Sequence, residues 1–447
     1  MSHTRRKPFG RTYRRADAGY EAARADAMWN ARLPDRLPDV IVQANDVHDV
    51  VRAVRLAKRE GHVIGVRSGG HSWAGNHVRD GGMLLDVSRL DQVAIDVPSM
   101  RATTGPGRAG HELAELLAAQ GLFFPAGHCR GVCVGGYLLQ GGFGWNGRVL
   151  GPACQSVEAI DVVTADGELV HASADENADL YWAARGAGPG FFGVVTRFHL
   201  RVYPRPRVIG FGLHTYPMSM LEPLFRWAHD VRHEVPAAIE LQLVMTRDVP
   251  AMRGPGVVVF APVFADGHRE AIRALRFMNG GPLARRAALR IPYVPSGLPL
   301  MYRGVMSHYP DDHRYAVDNL WTSAPIDALL PGLERIAETL PPAPSHALWM
   351  NWAPPRDRPD MAFTMEDDIY LALYGIWKDA KDDALHARWP VERMREMQHV
   401  ATGIQLADEN LGQRPARFVS DAALARLDAI RSERDPERRF HPWMGRP

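Results

Sequence analysis

Arg67-Ser68-Gly69-Gly70-His71-Ser72 and Gly127-His128-Cys129-Arg130-Gly131-Val132-Cys133-Val134-Gly135-Gly136 decide how this chain is read. Each sets one chemically reactive side chain, His71 or Cys129, in a stretch where glycine lets backbone N–H groups approach a ligand. A third glycine run, Gly141-Gly142-Phe143-Gly144, follows shortly after. A large, flat, phosphate-bearing ligand explains both features together.

Outward from His71, residues 39–72 read as strand, helix, strand and loop. Asp39–Ala44 is β-like, and Asn45 or Asp46 can cap a helix whose apolar face is Val47, Val50, Val51 and Val54. Gly61 ends that helix, and His62–Arg67 runs as a strand straight into Ser68–Ser72. The reactive loop therefore lies at the carboxyl end of a strand, where α/β folds bind ligands. Met83–Val87 and Met100–Thr104 read as strands, and His111–Gln120 as a helix closed by Gly121. Val157–Thr164 and Glu168–Ala172 flank an Asp-Gly hairpin turn. Asp175–Arg185 reads as a helix and Phe192–Tyr203 as a strand. Beyond Pro204 and Pro206 the texture changes. Val208–Tyr216, Glu240–Arg247, Gly256–Ala265 and Ile369–Trp377 alternate with helices such as His268–Met278, which suits an antiparallel sheet covered by helices on one face.

The bulk numbers fit this plan. A chain of 447 residues is long for a single core, so two domains are expected. Its 46% hydrophobic and 23% charged content is that of a soluble globular protein. A formal charge of +2 gives no reason to expect a nucleic-acid or membrane partner. Met1 to Arg15 is basic without an apolar run, so no secretory signal is expected, and no stretch of about 20 apolar residues is long enough to span a bilayer. Cys129, Cys133 and Cys154 are an odd number, unsuited to a disulfide framework. A cytoplasmic location is the default expectation.

Several motifs have competing readings. Gly105-Pro106-Gly107-Arg108-Ala109-Gly110 fits G-x-G-x-x-G between a strand and a helix. No acidic residue lies between Glu115 and Glu158 to bind a ribose, and Pro106 removes one N–H from the turn, so a nicotinamide site is disfavoured. His128, Cys129, Cys133 and Cys154 could instead be metal ligands, because Cys129 and Cys133 have zinc-like spacing. Adjacent His128 and Cys129 would point apart on an extended loop, which weighs against that. Cys133 and Cys154 read as packing residues.

Taken together, Arg67–Ser72, Gly127–Gly136, Gly141–Gly144, Asp161–Gly167, Asp179–Gly186 and Gly193–Thr196 resemble the FAD-binding half of the vanillyl-alcohol-oxidase and berberine-bridge-enzyme-like flavin oxidases. The resemblance covers residues 20–205 and, weakly, 405–447. It implies an α+β fold with a PCMH-type FAD-binding domain at 1–206 plus 405–447. An antiparallel-sheet substrate-binding domain covered by helices would occupy 207–404. It implies FAD attached twice, by His71 at the 8α-methyl and by Cys129 at C6. Further cofactor contacts are implied for Arg67, Ser68, Gly69, Gly70, Ser72, Val132, Gly135, Gly136, Gly142 and Val194. Val132, three residues after the tethering cysteine, occupies the position where valine admits dioxygen in relatives and leucine blocks it.

There is one departure from the family pattern. Relatives carry Tyr-x-Asn near the start of the C-terminal segment, and Ala401–Glu409 has neither tyrosine nor asparagine. The catalytic base is therefore expected elsewhere. Tyr370 and Tyr374 share one face of a strand, Glu366 precedes them, and core packing is the bland alternative for both tyrosines.

The resulting expectation is an FAD-dependent oxidase. It would take hydride from an alcohol-type carbon of a sugar or hydroxylated natural product, with O2 as second substrate and H2O2 as product. Oxidative cyclisation or C–N oxidation is the alternative chemistry, and a catalytically silent flavin or ligand carrier the alternative of another class. No metal is expected, and the assembly is a monomer or small homo-oligomer.

Overall fold

The computed structural model describes residues 10–249, 252–353 and 357–446. The basic segment before residue 10 lies outside them. Three main sheets organise the chain. The first is four-stranded, in the order Arg11–Arg14, Val40–Gln43, Met83–Asp86, Ile64–Arg67. Its last three strands are parallel and its first is antiparallel. The helix crossing between Val40–Gln43 and Ile64–Arg67 is Val47–Glu60. Asp46 caps it by accepting from the backbone N–H of His48 and Asp49, and Gly61 closes it at φ 73°. This unit delivers residues 68–72 to the edge of the cavity described below.

A second, antiparallel sheet runs Val93–Asp96, Arg101–Thr104, Val194–Arg201, Val157–Val163, Leu169–Ser173. Its hairpin turns at Asp166-Gly167, with Gly167 at φ 75°. The glycines of the G-x-G-x-x-G stretch face protein rather than a ligand. A Cβ at Gly105 would lie 2.0 Å from the Leu90 carbonyl oxygen, and one at Gly107 2.1 Å from that of Ser88.

The third sheet has seven antiparallel strands, all drawn from residues 208–377. Their order is Leu289–Ser296, Val208–Pro217, Gly254–Ala265, Leu241–Val249, His346–Asn351, Ile369–Trp377, Arg314–Thr322. Helices Leu221–Asp230 and Ile326–Thr339 bury one face of it, where Leu224, Phe225, Leu329, Leu333 and Ile336 meet Leu241, Leu243, Val257 and Val259. Alternate residues of the same strands point the other way, toward the first two sheets. The helix expected over His268–Met278 is interrupted, forming His268–Ala274 and Arg276–Asn279. Asp175–Arg185 is helical only over Ala178–Ala184, after Asn177 at φ 45°.

The C-terminal segment returns in two steps. Residues 402–408 lie along the outer strand of the large sheet. There Trp321 pairs with Gly403, and the Asn319 amide donates to the carbonyls of Gln405 at 3.0 Å and Asp408 at 2.8 Å. Helix Asp421–Arg434 follows, and the chain then docks beside the first sheet. Ile64 N–H donates to the Arg439 carbonyl at 2.7 Å and His441 N–H to the Ile64 carbonyl at 3.1 Å. Among the described residues, no helix is long and apolar enough to cross a membrane.

Candidate active site

Between the large sheet and the two smaller ones lies a cavity of about 710 Å³. The loops of residues 67–72 and 127–136 form one wall. Gly135 is what lets them meet, since a Cβ there would lie 2.8 Å from both Ser68 Oγ and Pro106 Cβ. Ser68 Oγ accepts from the Gly136 N–H at 3.3 Å, and Cys133 Sγ reaches the Gly107 carbonyl at 3.1 Å. Among the described residues no acceptor meets the N–H groups of Gly69, Gly70, His71 or Ser72. Arg67 Nε, Gln405 Nε2 and His441 Nε2 are buried without a hydrogen-bond partner, and all three residues line the cavity. A row of free amides with three orphaned polar nitrogens needs a polar occupant. The donor-rich wall fits the phosphates and heteroaromatic edge of FAD.

His71 stacks on Trp29, with ring centroids 4.8 Å apart and planes at 18°. Burial, assisted by the Arg67 charge, lowers its pKa to about 3, so the imidazole is neutral with a free lone pair at physiological pH. Cys129 is a half-buried free thiol, pushed up to about 12 by burial and by Asp408. The two tether candidates thus start from opposite states: the histidine is a ready nucleophile, whereas the thiol must lose a proton first.

Val132, Gly135 and Gly136 line the cavity with Arg67–Ser72 and Cys129. Gly142 and Val194 are not among the lining residues. Gly142 sits at φ 80°, with the ring of Tyr137 and the side chain of Ala153 filling the space a side chain would take. Val194 is fully buried in the core, and strand parity gives the cavity to its neighbours Gly193 and Val195. His128 turns away from Cys129 and meets Glu240 Oε2 at 2.9 Å, while Cys154 is buried beside Met361. The four suspected metal ligands therefore do not converge.

The large sheet supplies the opposite wall. Tyr370 and Tyr374 both donate to Asp408 Oδ2, Tyr374 at 2.7 Å, and Trp73 Nε1 donates to Asp408 Oδ1 at 2.6 Å. All four residues line the cavity. Burial and the Asp408 charge raise both phenols well above the ordinary tyrosine value. Glu366 is not brought to this cluster. Its carboxylate is held by Arg358 at 2.6 and 3.0 Å and by Trp352 Nε1 at 2.7 Å, and it is absent from the cavity lining. The residue that sequence reasoning missed is Asp408. It stands inside the segment searched for tyrosine and asparagine, and the signal was its carboxylate.

The comparisons with known proteins agree with this geometry. Residues 38–173 match the family described as FAD binding domain. The chain is 32% identical over 425 residues to the FAD-linked oxidoreductase nodO of Hypoxylon pulicicidum, covering 94% of each. Its fold matches that of 6-hydroxy-D-nicotine oxidase from Arthrobacter nicotinovorans at a TM-score of 0.84 and 25% identity, over 99% of this chain and 98% of that one. Physcomitrella patens BBE-like 1 matches at a TM-score of 0.85 and 20% identity, over 98% and 97%.

Proposed function

Because this chain belongs to the FAD-linked oxidoreductases, we propose that it is an oxidase acting on a carbon that bears a hydroxyl group. Held by the loops of residues 67–72 and 127–136, FAD would supply the hydride acceptor for that carbon and the route of its electrons to dioxygen, with hydrogen peroxide as product. The chain's own part is to hold the cofactor, position the alcohol and receive its proton.

The observation that carries this reading is the Asp408 carboxylate, fixed by Trp73, Tyr370 and Tyr374 at the cavity wall. A carboxylate gripped by three donors cannot swing away, and its position is set before substrate arrives. Asp408 is the proton acceptor, and Tyr370 and Tyr374 are neutral hydrogen-bond donors that orient it. This arrangement takes the place of the tyrosine expected in the C-terminal segment. It also supplies the base whose absence would have favoured a silent carrier. His71 and Cys129 are the two covalent tethers, with Val132 beside them on the dioxygen path.

The test is oxygen uptake and peroxide release by the purified yellow protein with a panel of alcohols. Acid precipitation should leave the colour in the pellet. A protein that holds flavin yet consumes no oxygen with any alcohol or amine would return the carrier reading.

A further inference from the structure

Three neighbouring strands of the second sheet bring two imidazoles and a carboxylate together on its solvent face. Asp161 comes from Val157–Val163, His171 from Leu169–Ser173 and His199 from Val194–Arg201. Asp161 is paired directly with His171, and His199 lies on the diagonal from it, two residues beyond its other partner Arg197. The alternate residues Ile160, Val162, Ala172, Phe198 and Leu200 point the other way and are buried in the core. None of the three polar residues lines the cavity.

Both rings aim a nitrogen at one atom. His171 Nδ1 lies 2.9 Å and His199 Nε2 3.2 Å from Asp161 Oδ1, and the three ligand atoms fall within 4.8 Å of one another. The rings meet edge to face, with centroids 5.3 Å apart and planes at 81°, which lets both nitrogens reach the same point. Tetrahedral zinc with bonds of about 2.0–2.1 Å spaces its ligand atoms about 3.3 Å apart, so each nitrogen–oxygen separation has to open by a few tenths of an ångström at most. His171 is the most exposed of the three and is free to turn inward and close the remaining gap.

Two imidazoles with a carboxylate suit a borderline ion such as Zn2+, whereas Mg2+ and Ca2+ take oxygen ligands. A neutral imidazole binds through the nitrogen that now faces Asp161 and keeps its proton on the other. His171 Nε2 and His199 Nδ1 have no protein partner among the described residues, so those protons go to water. Arg197 opposes the ion, with Nη1 3.5 Å from Asp161 Oδ2, but its side chain is more than half exposed and swings readily into solvent, where its charge is screened.

We propose that Asp161, His171 and His199 form a zinc-class cation site that clasps three strands of the second sheet, with water completing the ion's coordination. The site departs from the expectation that no metal is bound, because strand pairing alone assembles it. An ion held there stabilises the folded sheet and takes no part in the flavin chemistry.

The test dialyses untagged, flavin-loaded protein, stripped with EDTA, against ZnCl2 and counts bound zinc by emission spectrometry. One ion per chain with a Kd of about 10 µM or tighter is expected. His171→Gln combined with His199→Gln should weaken that binding at least about tenfold and leave flavin content unchanged, since losing a ligand costs more than losing a supporting contact, itself about 10- to 100-fold. A zinc-edge anomalous map of wild-type crystals locates the ion without any variant, and the peak is expected within about 2.5 Å of both imidazole nitrogens and an Asp161 oxygen. Wild-type binding weaker than about 10 µM, which means an adventitious ion only, a double variant weakened less than about tenfold, or an anomalous peak elsewhere overturns the proposal.

Discussion

The phenol of Tyr374 donates to Oδ2 of Asp408 at 2.7 Å, tying the strand Ile369–Trp377, next to the edge of the large sheet, to a loop that enters from the C-terminal segment. That bond reverses the division of labour expected from sequence. A tyrosine that donates to a carboxylate is a poorer base than a free one, and the carboxylate becomes the candidate acceptor.

Asp408→Asn should therefore lower the rate of anaerobic flavin reduction by about 100- to 10,000-fold, the usual effect of losing a general base. Tyr374→Phe should cost less, about 5- to 100-fold, because it removes one orienting hydrogen bond of ~1–3 kcal/mol. Both phenols are raised well above their ordinary value, so they stay protonated throughout an assay and contribute no alkaline limb below about pH 10. The pH profile of Tyr374→Phe should keep the wild-type shape. Reduction of Asp408→Asn within a few-fold of wild type would send the search for the base elsewhere.

The opposite states of His71 and Cys129 make the two proposed tethers separable. Cys129→Ala should retain flavin through His71, His71→Ala through Cys129, and the double variant should release it on denaturation, all read by intact-protein mass. With Cys129 pushed up to about 12, thiolate is scarce near neutrality and rises about tenfold per pH unit. Attachment in His71→Ala should therefore accelerate as pH rises, whereas attachment in Cys129→Ala should be nearly flat above pH 5, since His71 is neutral above about 3. A Cys129→Ala protein with wild-type spectrum and mass increment would leave a single histidyl link.

Gly131 sits at φ 82°, and a Cβ there would lie 2.7 Å from His71 Nε2. Gly131→Ala should displace the imidazole, strain the backbone by about 1–3 kcal/mol and reduce the histidyl-linked fraction. Gly121→Ala is the control, because it has φ 74° and nothing within 4 Å, so it strains the backbone without touching the site. Equal loss of the histidyl link in both variants would show that strain, not contact with His71, is responsible.

Local signals carried the flavin half of the fold. Asp46 and Gly61 bracket their helix as capping chemistry requires, and the Asp166-Gly167 turn closes its hairpin. The large sheet was less legible. Leu289–Ser296 contains Pro292 and Pro295, which a strand tolerates because this one lies at the sheet edge. His346–Asn351 is short and buried on both faces, so it shows no alternation to read. In the site, His71 and Cys129 stand out because glycine surrounds them. Asp408 does not, because its role depends on Tyr370, Tyr374 and Trp73, which are distant in sequence. Glu366 is legible as a carboxylate just before strand Ile369–Trp377, but Arg358 and Trp352 occupy it.

Val132 is half-buried, lines the cavity and has its backbone fixed by a 2.8 Å hydrogen bond from the Gly110 N–H. Val132→Leu should slow reoxidation of the reduced enzyme by dioxygen while leaving anaerobic reduction by substrate nearly unchanged. The added methylene can strain a packed loop by about 1–3 kcal/mol, so melting is measured alongside. Equal stopped-flow reoxidation in the two proteins would mean that oxygen arrives by another route.

On the five-stranded sheet, remote from the cavity lining, Asp161 accepts from His171 Nδ1 at 2.9 Å and His199 Nε2 at 3.2 Å, with Arg197 at 3.5 Å. Desolvation raises its pKa. The hydrogen bonds from His199 and His171, with the charges of His199 and Arg197, outweigh that and bring it to about 2. A carboxylate depressed on folding from an unfolded value of ~3.9 adds stability that is present above that value and lost as pH falls through the folded one. Because the carboxylate is partly exposed and solvent screens its partners, the contribution at neutral pH is only on the order of 1 kcal/mol. Asp161→Asn should lower the free energy of urea unfolding by about that amount at pH 7. The gap between wild type and variant should shrink between about pH 4 and pH 2. A gap that stays constant over that window would mean the loss comes from altered packing of the three strands rather than from the charge on Asp161.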